Sequence, residues 1–437
     1  MKISSGPQGS NRYWLCGLLF AACCGLYAPI IQAAQPTVLL LQQARAKALA
    51  DNPGLAEMQA RYEALTAVAP QKASLPDPVI SFNAMNFPWD DFDRNQENMT
   101  QLQVGVSQMF PYPGKLGLRE DVALFEAEAA RYSVEEMRLK LDMNVSVTWW
   151  ELHFLDRSEE TVQRNQSLLR QLVKVAETKY EVGKGLQQDV LLAQLELSKL
   201  LDQEIRINAM RDHREIRLNL LMGASPNSPI ALPTMTPQAT QSIAVDEILY
   251  QRAASSRPIL AQERAMIKAS ESRLELARKD YYPDFKVGVL YGNRDEDELG
   301  RSRQDFLSVM LSVNVPLYAG TKQDKAVQQR TREVAKSRYA LADERNLVMS
   351  SISRAKTDYQ RASDQVSLFN EGIIPQARQT VESMLAGYQV DQVDFLNLVR
   401  SQVTLLNYEL QYWKSYTEVN QSIARIQAAV GEENIYE

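Results

Sequence analysis

The sequence predicts an α+β membrane protein built from two internal repeats. Three observations carry this: landmarks recur 205 to 208 residues apart, helical tracts run far beyond globular length, and strictly alternating segments stand in pairs between those tracts. Asn52-Pro53 matches Arg257-Pro258, Pro76-Asp77 matches Pro283-Asp284, Gly114 matches Gly320 and Tyr180 matches Tyr388 (258 − 53, 283 − 76, 320 − 114 and 388 − 180 give 205, 207, 206 and 208). Four landmarks keeping one spacing across half a chain mark a duplicated unit. The expected organisation is a leader over 1–34, a first repeat over 35–225, a Pro-rich linker over 226–242 and a second repeat over 243–431.

The leader has Lys2 and Arg12, an apolar stretch from Trp14 to Ile31, and small residues at Ala33 and Ala34, the layout of a secretory signal peptide cut after one of those two alanines. Lipoprotein processing at Cys23, after Phe20-Ala21-Ala22, is the alternative. Cys16, Cys23 and Cys24 are the only cysteines, so an exported chain cut there has no disulfide, thiolate metal site or cysteine nucleophile. The 48 basic and 54 acidic residues give a net charge of −6 without a basic block, which argues against nucleic acid as a partner. After the leader, no run of 18 apolar residues appears, so no transmembrane helix is expected, and an exported chain of this kind is either soluble in the periplasm or inserted as a β-barrel.

Glycine and proline are missing from Leu118 to Val182, Leu186 to Met222, Thr321 to Glu371 and Tyr388 to Val430. These tracts are rich in good helix formers. The first, 182 − 118 + 1 = 65 residues, reaches about 100 Å at 1.5 Å per residue. Leu169, Leu172, Val173, Ala176 and Tyr180 form a stripe suited to a helix-bundle seam.

Between the tracts the period changes to two. Ile80, Phe82 and Ala84 alternate with polar residues, as do Leu102, Val104 and Val106; Phe285, Val287, Val289 and Tyr291; and Leu307, Val309, Leu311, Val313 and Val315. Two strands per repeat, each near ten residues, suit a tilted bilayer-spanning hairpin. Polar loops over 86–100 and 292–304 join them, and Phe87, Trp89, Phe92, Tyr281, Tyr282 and Tyr291 flank them as an aromatic girdle would. Four strands cannot close a barrel, and unpaired edges are prohibitive in lipid. The chain must oligomerise, and three copies giving about twelve strands is the smallest plausible water-filled barrel. Four strands of a soluble sandwich are the competing reading.

Further residues extend the pattern: Tyr180-x-x-Gly183 followed by Leu191-Leu192-Ala193-Gln194, and Tyr388-Gln389-Val390-Asp391 followed by Leu398-Val399-Arg400-Ser401-Gln402. Tyrosine to glutamine is fourteen residues both times (194 − 180 and 402 − 388). With the Asn52-Pro53 and Pro76-Asp77-Pro78 landmarks, the chain resembles the TolC family of outer-membrane efflux ducts over essentially all of its length beyond the leader. The stretch from Ser107 to Leu118 resembles the branch serving heavy-metal exporters of the resistance-nodulation-division type. The resemblance implies a homotrimer: a twelve-stranded β-barrel in outer-membrane lipid continued by a twelve-helix periplasmic α-barrel. It also implies a periplasmic membrane-fusion adaptor and an inner-membrane resistance-nodulation-division pump as partners. A heavy-metal cation duct is the first expectation, a multidrug or type I secretion duct the second, and a pore-free periplasmic coiled-coil adaptor the third.

By the same resemblance the hairpin turns Val182-Gly183-Lys184-Gly185 and Val390-Asp391-Gln392-Val393 form the mouth that meets the adaptor; otherwise they are plain helix reversals. Asp391 stands where glycine is expected, and aspartate tolerates left-handed geometry better than most residues. The family places pore-facing carboxylates just past this turn. Here the matching positions hold Asn397 and Arg400, while Asp391 and Asp394 lie nearer the tip. The expectation is that Asp394 with Asp391 forms the constriction and that Arg400 alters it, against the alternative of solvated surface charge. Enzymatic activity, a cofactor and a resident metal are not expected. His153 and His213 are unpaired in helical tracts, Met85, Met99 and Met109 read as packing, and Gly114-Lys115 lacks the glycine a phosphate loop needs, with Met109 in its place.

Overall fold

A computed structural model describes residues 38–234 and 241–436. The leader, with its expected cleavage and the Cys23 alternative, lies outside the described residues, as does part of the 226–242 segment. The first repeat's elements are α1 (Leu41–Asp51), α2 (Pro53–Thr66), α3 (Val68–Ala73), β1 (Val79–Met85), β2 (Gln101–Phe110), α4 (Lys115–Glu181) and α5 (Gln187–Leu221). The second contributes α6 (Asp246–Ser256), α7 (Pro258–Lys279), β3 (Phe285–Asn293), β4 (Phe306–Val313), α8 (Gln323–Leu368), α9 (Ile374–Gln389) and α10 (Phe395–Val430). At 67 residues α4 spans about 100 Å. Among the described residues, no helix is long and apolar enough to cross a membrane.

The Asn-Pro and Arg-Pro landmarks mark equivalent joints. Asn52 and Arg257 adopt nearly the same extended backbone (φ −73°, ψ 117° and φ −72°, ψ 115°), and Pro53 and Pro258 each open a helix, where a missing N–H costs nothing. The last helix of each repeat ends against this joint on a left-handed glycine, Gly223 (φ +64°) and Gly431 (φ +86°). A Cβ on either would fall 2.4 Å from the Asp51 carbonyl oxygen or 2.9 Å from that of Ser256, so only glycine fits. The chain of the linker region also takes part in packing: Leu39 N–H donates to the Ala231 carbonyl at 2.8 Å, and Ile243 bridges Tyr436.

The glycine- and proline-free tract ending at Glu371 does not mark the end of a helix. Gly372 and Pro375 are carried through by a single π-helical turn, Phe369–Ile373, that joins α8 to α9. The wider turn absorbs the hydrogen bond that Pro375 cannot donate, so the rod continues. The strands measure 7, 10, 9 and 8 residues, shorter than ten in three of four cases.

The strands form one antiparallel sheet in the order β1-β2-β3-β4, with β2 and β3 joining the repeats. Register places Phe82, Val104, Tyr291 and Leu307 in one row and Ile80, Val106, Val289 and Val309 in the next. All eight side chains are exposed, so the alternating stripes merge into one uncovered apolar face. The opposite face is mixed: Ser81, Asn83, Gln103, Ser107, Ser308, Ser312 and Lys286, the single charged residue in the four strands, stand among Val79, Met109, Leu290, Phe306 and Met310. The outer edges of β1 and β4 have no strand partner among the described residues, and the sheet is open.

Away from the sheet, α4 packs against α5, α7 and α10, and α8 against α7 and α10. One core along the rods joins Leu155, Val162, Leu169 and Ala176 of α4 to Leu398, Val399 and Leu406 of α10. Within it Gln402 donates to the Asn165 side chain at 2.7 Å, a buried polar pair that fixes the register of α4 on α10. A second core surrounds Trp149, Trp150 and Tyr416. His153, 1% exposed, lies within ring-contact distance of Trp149, Trp150 and Trp413, and neither of its ring nitrogens has a hydrogen-bond partner.

Candidate functional site

The two hairpins, α4–α5 and α9–α10, reverse by the same backbone device. Gly183 (φ +73°) and Asp391 (φ +62°) hold the equivalent left-handed position, 391 − 183 = 208 residues apart. Lys184 N–H returns to the Lys179 carbonyl at 2.8 Å in the first turn, and Gln392 N–H to the Gly387 carbonyl at 2.9 Å in the second. Aspartate therefore occupies a position that glycine fills in the other repeat, as its tolerance of this region allows.

The turns need a second glycine for a different reason. The chain crosses itself between residues six apart, and each crossing has room for one side chain. In the first turn Lys179 keeps its side chain, and a Cβ on Gly185 would lie 2.9 Å from Lys179 Cβ and from Tyr180 N. In the second, Val393 keeps its side chain, and a Cβ on Gly387 would lie 2.6 Å from Val393 Cγ2. The glycine has changed sides between the repeats, and the geometry is preserved.

A lysine ties the tips together. Lys179 Nζ reaches the Asp391 carboxylate at 2.5 Å and the Tyr388 carbonyl at 2.5 Å, and lies 4.3 Å from the centroid of the Tyr388 ring. The hydrogen bond from Lys179 and its charge hold the Asp391 carboxyl below the ordinary carboxylate range. Tyr388 is buried against Phe395, whereas its counterpart Tyr180 is exposed. The motif glutamines part in the same way: Gln402 is buried on Asn165, and Gln194 is exposed.

At the apex Val182 and Val390 are each 63% exposed, and Lys184 and Gln392 are exposed beside them, with Gly185 and Val393 half-buried. Asp394 starts α10 in an extended conformation, and Asp394, Asn397 and Arg400 follow at three-residue intervals, all exposed, while Phe395, Leu398 and Val399 turn into the core. Arg400 forms no ion pair among the described residues. One carboxylate escaped the reading of the sequence. Asp189, on the first turn of α5, is the repeat counterpart of Asn397 (397 − 189 = 208), and burial, with the charge of Asp394 adding to it, raises its carboxyl above the ordinary range. Applying the repeat offset to Asn397 would have found it. Among the described residues no cluster of three His, Asp or Glu side chains could hold a metal ion.

A family model described as outer membrane efflux protein matches residues 44–224 and 249–432. Solved channels share the fold across nearly the whole chain. The outer-membrane channel OprN matches with a TM-score of 0.75 at 18% identity, covering 90% of this chain and 89% of that one. CusC, described in terms of folding and transmembrane channel formation, matches at 0.75 and 13%, covering 91% and 93%. The CmeC outer membrane channel of Campylobacter jejuni matches at 0.76 and 13%, covering 90% and 86%. The alkaline protease secretion protein AprF of Pseudomonas aeruginosa is 24% identical over 265 residues, which are 57% of this chain and 53% of that relative. The match spans about half the length of AprF.

Proposed function

The chain belongs to the outer membrane efflux protein family, and from that premise we propose that it is the passive export duct of a tripartite pump. It is an outer-membrane channel protein with a periplasmic helical extension and no enzymatic role. The observation that carries the duct reading is the sheet: four strands with one apolar face uncovered, the strands' serines and lysine on the opposite, mixed face, and both edges free, mounted on rods about 100 Å long. Three copies closing edge to edge give twelve strands around a polar lumen, and their rods give a twelve-helix barrel. The tips at Val182–Gly185 and Val390–Val393 offer exposed apolar side chains to an adaptor, which connects the duct to an energised inner-membrane pump.

The Lys179–Asp391 tie supports a resting state in which the two hairpins of one copy are held together at the mouth. Asp394 with Asp391 forms the constriction there, and threefold repetition concentrates its charge. Replacing both aspartates by Ala alters single-channel conductance and cation preference; unchanged values remove this role. For cargo, the Ser107 to Leu118 stretch favours heavy-metal cations moved by a resistance-nodulation-division pump. The similarity to a protease secretion protein favours the second reading, a secretion duct. Pump and adaptor genes beside this one, of cation or secretion type, separate the two.

The duct itself is tested with detergent-extracted protein in planar bilayers. Stepwise conductance from a heat-modifiable trimer is expected. A water-soluble monomer that leaves the bilayer silent overturns the reading and favours a pore-free scaffold.

A further inference from the structure

The seam between the repeats is closed by a polar clasp at the base of the sheet. Asp284, on the connection from α7 to β3, accepts the Tyr112 N–H at 2.8 Å and the Lys115 ammonium at 2.9 Å. Tyr112 lies on the connection from β2 to α4, and Lys115 opens α4. Lys115 is only 3% exposed and also reaches Asp280 at 3.1 Å, and the Tyr112 ring stacks on that of Tyr282 at 4.5 Å.

Two parts of this clasp, the carboxylate and the tyrosine, have counterparts on the outer edges of the sheet. Asp77, on the connection from α3 to β1, corresponds to Asp284 (284 − 77 = 207). Tyr318, between β4 and α8, corresponds to Tyr112 (318 − 112 = 206), and the backbone agrees. The Tyr112 carbonyl accepts the Lys115 N–H at 3.0 Å, and the Tyr318 carbonyl accepts the Thr321 N–H at 3.2 Å. Threonine stands where Lys115 would be, and Lys322 follows one residue later. Asp77, Tyr318 and Lys322 are exposed, and neither Asp77 nor Lys322 has an ion pair among the described residues. With the order β1-β2-β3-β4, the carboxylate stands at one edge and its donors at the other, so they cannot meet within one chain.

We infer that Asp77 of one copy clasps the Tyr318 N–H and the Lys322 ammonium of the next copy, repeating between subunits the junction that Asp284 makes within one. The partner is a second copy of this chain, and the inference rests on the trimer reading above. The same equivalence sets the register of the new strand pair. Val79 lies opposite Ser107 and corresponds to Lys286, which lies opposite Ser312, so β2 maps onto β4 at 312 − 107 = 205. The pair Val106–Val289 then becomes Leu311–Phe82 across the subunit seam, with both side chains on the apolar face.

Disulfide trapping tests this in the full chain. Asp77→Cys with Tyr318→Cys, and separately Phe82→Cys with Leu311→Cys, are expected to give covalent dimers and trimers under mild oxidation, while each single variant gives none. Asp77→Ala should also make heat dissociation of the trimer roughly tenfold faster, as loss of a charge-assisted hydrogen bond predicts. Lys322→Ala should have a smaller effect because that side chain is exposed. A trimer that forms but is not trapped at Asp77–Tyr318 overturns the clasp and leaves the trimer standing. Trapping at Phe82–Leu311 alone likewise overturns the clasp while keeping the register. A protein monomeric in detergent overturns both the clasp and the trimer.

Discussion

Gly387→Ala isolates the rule that each tip crossing holds one side chain. The added methyl would sit 2.6 Å from Val393 Cγ2, where carbon pairs settle at about 3.5–4.0 Å, so about 1 Å of movement is required. Val393 cannot rotate away cheaply because a β-branched side chain is stiff at χ1. Overpacking of this kind costs about 1–3 kcal/mol, and the better helix propensity of alanine returns about 1 kcal/mol. The net loss is about 0–2 kcal/mol, confined to the tip, and its upper end multiplies local opening by roughly 30-fold. Val393→Ala removes the obstructing Cγ2, so the double variant should keep the propensity gain and lose the clash, a coupling of about 1–3 kcal/mol. Native-state hydrogen exchange of amides 387–398 in wild type, both single variants and the double variant reads this directly. Strict additivity of the two substitutions refutes the one-side-chain rule. Because this turn presents Asp391 to Lys179, the single variant should also open channels more often, and the double variant should restore wild-type gating.

Gly431→Ala forces a left-handed alanine against the Ser256 carbonyl and should cost about 2–4 kcal/mol, measured by denaturant unfolding; a loss below 1 kcal/mol would contradict the close approach. The Asp391 carboxyl is held below its ordinary value, so the Lys179 tie is fully formed above the unfolded carboxylate range near pH 4 and is lost as pH falls through the depressed folded value. Conductance should stay flat from neutral pH to about 4 and rise below it, and Lys179→Met should show the acid behaviour at neutral pH. Burial, with the nearby Arg157 charge, lowers His153 to about 4, whereas the unfolded chain takes up that proton near 6.5. Its stabilising contribution is therefore complete above about 6.5 and lost as pH falls toward 4, and unfolding midpoints of His153→Phe should decline less over that window than those of wild type. Lys286 is the lone charge in the four strands and lies opposite their apolar face, so Lys286→Ala should move the reversal potential toward cations; an unchanged potential would place Lys286 away from the conduction path.

Elements whose signal is a period or a repeat were legible in the amino-acid order, apart from their exact ends, since β4 stops at Val313 while the alternation runs to Val315. Rods follow from long tracts without glycine or proline, strands from the alternation at Ile80 to Ala84 and Leu307 to Val315, and the duplication from four offsets. Periodicity is local, so it survives without knowledge of contacts. The tertiary structure decided what depends on which distant residues meet. It took α8 through Gly372 and Pro375 on a π-helical turn, paired Lys179 with Asp391, and buried Gln402 on Asn165 while leaving Gln194 in water. In the sequence Asp391 stands beside Asp394 with no visible cation partner, because the lysine that engages it lies 391 − 179 = 212 residues away. The exchange of glycine between positions 185 and 387 was likewise visible only where the backbone crosses itself, since steric exclusion acts through space and leaves no periodic trace along the chain.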